Sequence, residues 1–189
     1  VLPKVSDPDE VRAIELILRS LTQDHFPLII QIETARGVDA AMEIGAASEN
    51  VSALLFGAID LAAEIGCSVE WDALLYSRSK VVLAAAAAGI SAIDAPYMDV
   101  AALEALGDES RRSRRLGFVG KVAIHPRQVP VIQDSFSPTD EEVAWARKVV
   151  AAYESQKGGV FLLDGQLIER PVFLAAQRTL QASQIDSGD

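Results

Sequence analysis

Two acids stand where apolar runs stop. In LIIQIETARG the run ends at Glu33, and in VSALLFGAIDL it gives way through Gly57 and Ala58 to Asp60, twenty-seven positions further on. Continuous Leu, Ile and Val runs of this length read as buried strands of a parallel sheet. Neighbouring strands lie about 4.8 Å apart, so carboxylates at adjacent strand ends converge on one ion. Two carboxylates, with water and substrate oxygens in the other positions, suit Mg²⁺, which keeps several of its waters and seldom accepts an all-protein cage. One cysteine, Cys67, and two scattered histidines, His25 and His125, argue against zinc. The competing reading is that each acid merely caps the helix that follows it.

Other polar residues follow the apolar runs in the same way: Lys4 after the first, Thr34 and Arg36 beside Glu33, Asp94 and Tyr97 after the fourth, and His125, Pro126 and Arg127 after the fifth. Gly57 and Ala58 are small enough for a ligand to approach the backbone, and the helix start there offers N–H groups to an anion. Arg36 pairs with Glu33 or with a substrate anion, or else orders its loop through carbonyls and acids. His125, held extended by the proline after it, contacts a cofactor or substrate or is satisfied by nearby backbone. The run RRSRR at 111–115 reads as a solvated helix face, with docking of a nucleotide phosphate as its rival role.

These residues need strands to present them. Runs near Val1, Leu28, Ala53, Ala92 and Val122 read as five strands, each followed by a helical segment. Strands alternating with helices indicate a parallel sheet covered by helices. Helices are expected over 7–21, 37–47, 58–66, 71–89, 100–117 and 137–156, with a short helical turn over 127–136 and with Ser6 or Asp7 and Ser137 or Thr139 as N-caps. VFLLDGQL forms a hairpin turning at Asp164 and Gly165, and a last helix starts near Arg170, leaving QIDSGD as a frayed tail. Two α/β architectures fit: a doubly wound open sheet, and part of a (β/α)₈ barrel. Both gather chemistry at the carboxyl ends of strands.

The bulk of the chain narrows the function. Its 189 residues are half hydrophobic and carry a formal net charge of −10. That surface repels nucleic acid and anionic membranes, so neither is expected as a partner. No run approaches the roughly 20 apolar residues of a membrane span. A lone cysteine and no leader peptide fit a cytoplasmic setting. The chain opens on Val1 rather than Met, directly in a strand-like segment.

The segments LPKV, IETARGV, FGAIDLAAEIG, YSRSKVVLAAAAAGISAIDAPY and LGFVGKVAIHPRQV, in this order, resemble the citrate lyase β-subunit-like family within the HpcH/HpaI aldolase and citrate lyase superfamily. These are carbon–carbon lyases of CoA thioesters, related to malyl-CoA and citramalyl-CoA lyases. The resemblance implies a TIM (β/α)₈ barrel of the phosphoenolpyruvate/pyruvate type, a bound Mg²⁺ and a homotrimer. It makes Glu33 and Asp60 the metal ligands, and sets Glu33 against the substrate as a catalytic group. Lys4, Arg36, Gly57 and Ala58 are then assigned to substrate binding, and His125, Pro126 and Arg127 to CoA. The implied reaction removes a hydroxyl proton from a 3-hydroxyacyl-CoA of the citryl or malyl/citramalyl type. The C–C bond breaks to release acetyl-CoA and a keto acid, while metal and arginine charges stabilise the developing anions. The substrate arrives as acyl-CoA or on an acyl carrier.

Two departures from the family pattern stand out. The chain starts at what resembles the fourth strand, so the barrel portion covers 1–157 and lacks three strands and the family's carboxylate-holding arginine. In DGQLIERP, within a hairpin-plus-helix extension over 158–189, Glu169 occupies a position where the family offers an aspartate to the neighbouring subunit as acid/base. The extra methylene displaces the carboxylate by about 1 Å, enough to cost on the order of 100-fold in rate. The alternative functions are a metal-dependent aldolase acting on a free 2-keto-4-hydroxy acid, and a truncated, non-catalytic binding partner.

Overall fold

The computed structural model describes residues 1–22 and 24–185, so the last four residues of the expected tail lie outside the described part. It divides the chain into two compact units, Val1–Phe136 and Ser137–Asp189.

In the first unit, helix α1 (Pro8–Leu21) is started by Asp7, whose side chain accepts from the Asp9 N–H, with Pro8 in the first turn. Strand β1 (Leu28–Ile32) then leads to α2 (Ala35–Asp39) and α3 (Ala41–Gly45), two short helices where one was expected, separated at Ala40. Next come β2 (Val51–Phe56), α4 (Ala58–Ile65), α5 (Trp71–Ala88) and β3 (Ser91–Asp94), followed by α6 (Leu103–Leu116), β4 (Gly120–Lys121) and α7 (Gln128–Phe136). Helices α4 and α5 stop at Gly66 and Gly89, each in the left-handed region that ends helices cheaply only for glycine.

The strands pair in parallel in the order β1-β2-β3-β4, each beside its predecessor, with no reversal. Sequence position therefore maps directly onto position along the sheet, and Ile32 lies opposite Phe56 at one end of it. Strand β1 alternates buried and half-buried residues: Leu28, Ile30 and Ile32 enter the core, and Ile29 and Gln31 face the other way. The core gathers Ile30, Ile32, Leu54 and Phe56 from the sheet with Val11, Ile44, Leu61, Leu74 and Val81 from the helices.

Two expected strands shrink. The first survives as a single parallel bridge, Leu2 with Ile30. The next N–H toward β1 is that of Lys4, which turns into the left-handed region at φ 55° and donates to the Glu33 side chain in place of the ladder. The fifth survives as β4, which pairs only while β3 lasts; β3 ends at Asp94, just before Ala95 and Pro96.

In the second unit, α8 (Asp140–Ser155) starts with a full capping box between Thr139 and Glu142. The antiparallel hairpin β5 (Phe161–Leu163) and β6 (Gln166–Ile168) turns at Asp164 and Gly165, both at positive φ. Helix α9 (Arg170–Ile185) follows. Ala146, Val149, Ile168 and Ala176 form this unit's own core, with Tyr153 stacked on Phe173 at 4.4 Å between ring centres.

Candidate functional site

Glu33 is the first residue beyond β1, and only 2 % of it is exposed. Alternate residues of a strand share a face, so Gln31 lies alongside, and its Nε2 donates to Glu33 Oε2 at 2.6 Å. The backbone N–H of Lys4 donates to Oε1 at 2.9 Å. An ionised carboxylate offers about four lone-pair sites, so each oxygen keeps a further lone pair for another partner.

The next strand end is tied to this one. The Gly57 N–H donates to the Ile32 carbonyl at 2.9 Å, bringing the turn after β2 against Glu33. A Cβ on Gly57 would overlap the Cβ of Glu33 and lie 2.8 Å from its Oε2. Its φ is −105°, so close approach rather than backbone freedom demands glycine here. Gly57 is also the N-cap position of α4, whose first turn carries Asp60. Burial pushes the Glu33 pKa up. The Lys4 N–H opposes that, and the charge and hydrogen bonding of Asp60 push it up further. On its outer side, Asp60 Oδ1 meets the Lys4 ammonium at 3.2 Å.

This arrangement fits a hard divalent cation. Lys4 contacts both carboxylates, burial disfavours the charge on Glu33, and Gly57 lets the turn after β2 pack directly against the Glu33 side chain. Among the described residues no group of three or more His, Cys, Asp or Glu side chains is placed to hold a metal. The donor set is therefore a pair, which suits an ion that retains water and not a four-coordinate zinc site.

The structure thus brings Lys4, Glu33, Gly57 and Asp60 together, with Ala58 buried next to Gly57. Arg36 does not pair with Glu33. Its Nη2 bonds to Asp7 Oδ2 at 2.8 Å on the exposed rim, because α2 begins only at Ala35, after Thr34 caps it by accepting from the Gly37 N–H. His125, Pro126 and Arg127 form an exposed turn, in which the Arg127 N–H donates to His125 Nδ1 at 3.1 Å. Glu169 lies exposed in the second unit, just before α9.

Asp94, which follows the fourth apolar run, anchors a network whose other members escape a reading of strand ends alone. Asp94 is fully buried, and Lys121 Nζ reaches its Oδ2 at 2.7 Å while Arg78 Nε reaches its Oδ1 at 3.1 Å. Lys121 also holds Glu109 at 2.7 Å, and Ser113 donates to Asp94. Burial alone would raise the Asp94 pKa, but Lys121 and Arg78 overcome it and hold the carboxyl low. The Arg78 guanidinium lies over the Phe56 ring at 5.0 Å and the Trp71 ring at 4.8 Å, so the last residue of β2 is braced from α5. The signals were charges set in apolar context: Asp94 in SAIDAP, Lys121 in FVGKVAI, Arg78 in a long helix. Gln128, fully buried, accepts from the Ile124 N–H and donates to the Tyr97 carbonyl, joining the loops after β3 and β4. A cleft of about 610 Å³ opens between α5 and α6, lined by Trp71, Arg78, Tyr97, Met98 and Arg112. It borders Ala58 but includes neither Glu33 nor Asp60.

Comparison with known proteins fixes the class. The family model for HpcH/HpaI aldolase/citrate lyase matches residues 1–126, and the chain belongs to that family. It is 37 % identical over 188 residues to a citrate lyase subunit beta-like protein of Mycobacterium tuberculosis, covering 96 % of this chain and 65 % of that one. It is 34 % identical to the mitochondrial citramalyl-CoA lyase of Rattus norvegicus, covering 94 % of this chain and 58 % of the relative. The chain thus spans about 65 % or less of the length of these relatives. Among solved structures, CitE of M. tuberculosis in complex with magnesium, acetoacetate and coenzyme A superposes with a TM-score of 0.75 at 31 % identity, covering 97 % of this chain and 76 % of that one.

Proposed function

We propose that this chain carries the metal-holding half of a carbon–carbon lyase that cleaves a 3-hydroxyacyl-CoA of the citryl or malyl/citramalyl type into acetyl-CoA and a keto acid. The observation that carries this reading is that Lys4 joins two acids from consecutive strand ends, its N–H on Glu33 and its ammonium on Asp60. The relatives that bear lyase names and the solved relative holding magnesium and coenzyme A support it. The sequential parallel order of β1 to β4 supports reading the sheet as an arc of a (β/α)₈ barrel, since a doubly wound sheet reverses its order.

Glu33 and Asp60 would hold Mg²⁺, which when bound supplies a Lewis acid for the oxygen that becomes the ketone. The chain's own residues do the rest. Gln31 and the Lys4 N–H fix the Glu33 carboxylate. Gly57 lets Glu33 pack against the start of α4, and Gly57 with the short Ala58 is assigned to the substrate carboxylate near the N–H groups that open α4. As a metal ligand set against the substrate, Glu33 is assigned to the catalytic machinery. The ammonium of Lys4, 66 % exposed, lies at the mouth within reach of an anionic substrate end. His125, Pro126 and Arg127, on their exposed turn, are assigned to the CoA portion. Glu169 is assigned as an acid offered to a neighbouring copy in a homotrimer, as the family resemblance implies.

The test is release of acetyl-CoA from citryl-CoA and malyl-CoA by the full chain, in Mg²⁺ and in EDTA. Thermal stabilisation by CoA and by pyruvate is compared in parallel. Mg²⁺-dependent release lost in Glu33→Ala is expected. Stabilisation by pyruvate without CoA, and no cleavage of either thioester, would replace this reading with the free-acid aldolase.

A further inference from the structure

Lys4 touches both acids at once. Its backbone N–H binds Glu33 Oε1 at 2.9 Å, and its side-chain ammonium lies 3.2 Å from Asp60 Oδ1. It does so from φ 55°, a conformation that non-glycine residues seldom adopt. A left-handed residue at this position breaks the strand bridge after Leu2, and its carbonyl accepts only a long 3.4 Å bond from the exposed Ser6 hydroxyl. What it gains is this double contact.

The two contacts differ in kind. The bond to Glu33 is made by backbone and is indifferent to the side chain at residue 4. The bond to Asp60 is an ion pair whose partners are 66 % and 50 % exposed, so it separates into water without a large desolvation cost. Lys4 spans the two acids, so its ammonium sits on the exposed one while its backbone holds the buried one. The Lys4 ammonium brings one positive charge to the outer acid, where a divalent ion would bring two. An ion coordinating Asp60 Oδ1 and an ammonium held 3.2 Å from the same oxygen would be like charges at close range.

We propose that Lys4 is a tethered monovalent stand-in: it neutralises Asp60 while the divalent ion is away, and must release it for the ion to bind. Lys4 thereby lowers the affinity of the site for metal and protects the metal-free fold from its own paired acids. This rests on the reading of Glu33 and Asp60 as metal-holding residues, and adds how that site is kept exchangeable.

The experiment is calorimetric titration of MgCl₂ into the full chain as wild type, Lys4→Met, Lys4→Arg and Glu33→Gln, with thermal unfolding of each in EDTA and in Mg²⁺. An exposed pair of this kind predicts that Lys4→Met binds Mg²⁺ up to about 5-fold more tightly than wild type. Lys4→Arg, which keeps the charge, stays near wild type. Lys4→Met also melts lower than wild type in EDTA and closes that gap in saturating Mg²⁺. Lys4→Gln serves the same purpose should the Met variant misfold. Equal or weaker Mg²⁺ binding by the neutral variants, with wild type binding and Glu33→Gln not, overturns the inference and leaves the metal site standing. Absence of Mg²⁺ binding by wild type overturns both.

Discussion

Glu33 and Gly57 pack so closely that no side chain fits between them. The Cβ that any other residue would place at position 57 overlaps the Cβ of Glu33, and the same atom would lie 2.8 Å from Oε2. The contact exists because Ile32 and Phe56 are register partners and the Gly57 N–H continues that pairing onto the Ile32 carbonyl. Gly57→Ala therefore forces the Glu33 carboxylate to move or the two strand ends to part. Overpacking of this kind costs about 1–3 kcal/mol. The expected outcome is a folded protein with a lower urea midpoint and Mg²⁺ binding weakened by at least about 10-fold. Unchanged Mg²⁺ affinity in Gly57→Ala would show that Glu33 does not need this placement.

Glu33 is a site where stability and function pull apart. Its carboxylate is buried, and its pKa is raised by that burial and by Asp60. A carboxyl group with a raised folded pKa favours the fold when protonated, and that contribution is lost as pH rises through the folded value. Glu33→Gln removes the ionisation and keeps the shape. Circular dichroism in EDTA at pH 7 should show a melting temperature at or above that of wild type, while calorimetry shows Mg²⁺ affinity reduced by more than about 100-fold. A clear drop in metal-free stability would mean that the charge on Glu33 supports the fold.

The second unit offers tests of local chemistry. Thr139 accepts from the Glu142 N–H, and Glu142 bonds back to the Thr139 N–H. Thr139→Ala should cost about 1 kcal/mol in urea unfolding. Gly165 sits at φ 80° in a two-residue turn, and Gly165→Ala should cost about 1–2 kcal/mol because the left-handed region crowds a Cβ. Nothing lies within 4 Å of a Cβ added there, so backbone strain is the whole effect. A neutral result at Gly165 would show that the hairpin tolerates another turn type.

The parts of this molecule that obey local rules were readable from sequence. The caps at Asp7 and Thr139, the Gly66 and Gly89 helix ends and the Asp164–Gly165 turn depend on residues within a few positions of one another. That Glu33 and Asp60 follow the ends of consecutive strands was readable because the apolar runs mark where β1 and β2 stop. The break at Ala40 and the two shortened strands were not, since they depend on when a neighbour stops pairing. The Asp94 network was also hidden. Its members come from α5, β3, α6 and β4, and only the three-dimensional register makes Arg78 and Lys121 partners of one carboxylate. Arg36 shows why nearness in sequence left a choice open: of pairing with Glu33 and ordering its loop through an acid, the structure shows the second, with Asp7 twenty-nine positions away.

That network makes the last prediction. Asp94 is fully buried between Lys121 and Arg78, and although burial opposes its charge, the two cations hold its pKa below the usual value. A depressed folded pKa contributes stability that is present above the unfolded value, near 3.9, and is lost as pH falls through the lower folded one. Asp94→Asn leaves both cations buried without that partner, with Glu109 to compensate Lys121 alone. The loss at pH 7 should be about 3–5 kcal/mol. Urea unfolding of wild type and variant from pH 7 downward should show a constant gap to about pH 4 and a narrowing gap below it, as wild-type Asp94 is protonated. In the double variant Asp94→Asn, Lys121→Met much of the loss should return, because one uncompensated charge has been removed along with its partner. Equal losses at pH 7 and at pH 3 would mean that Asp94 acts through packing and hydrogen bonds, and not through its charge.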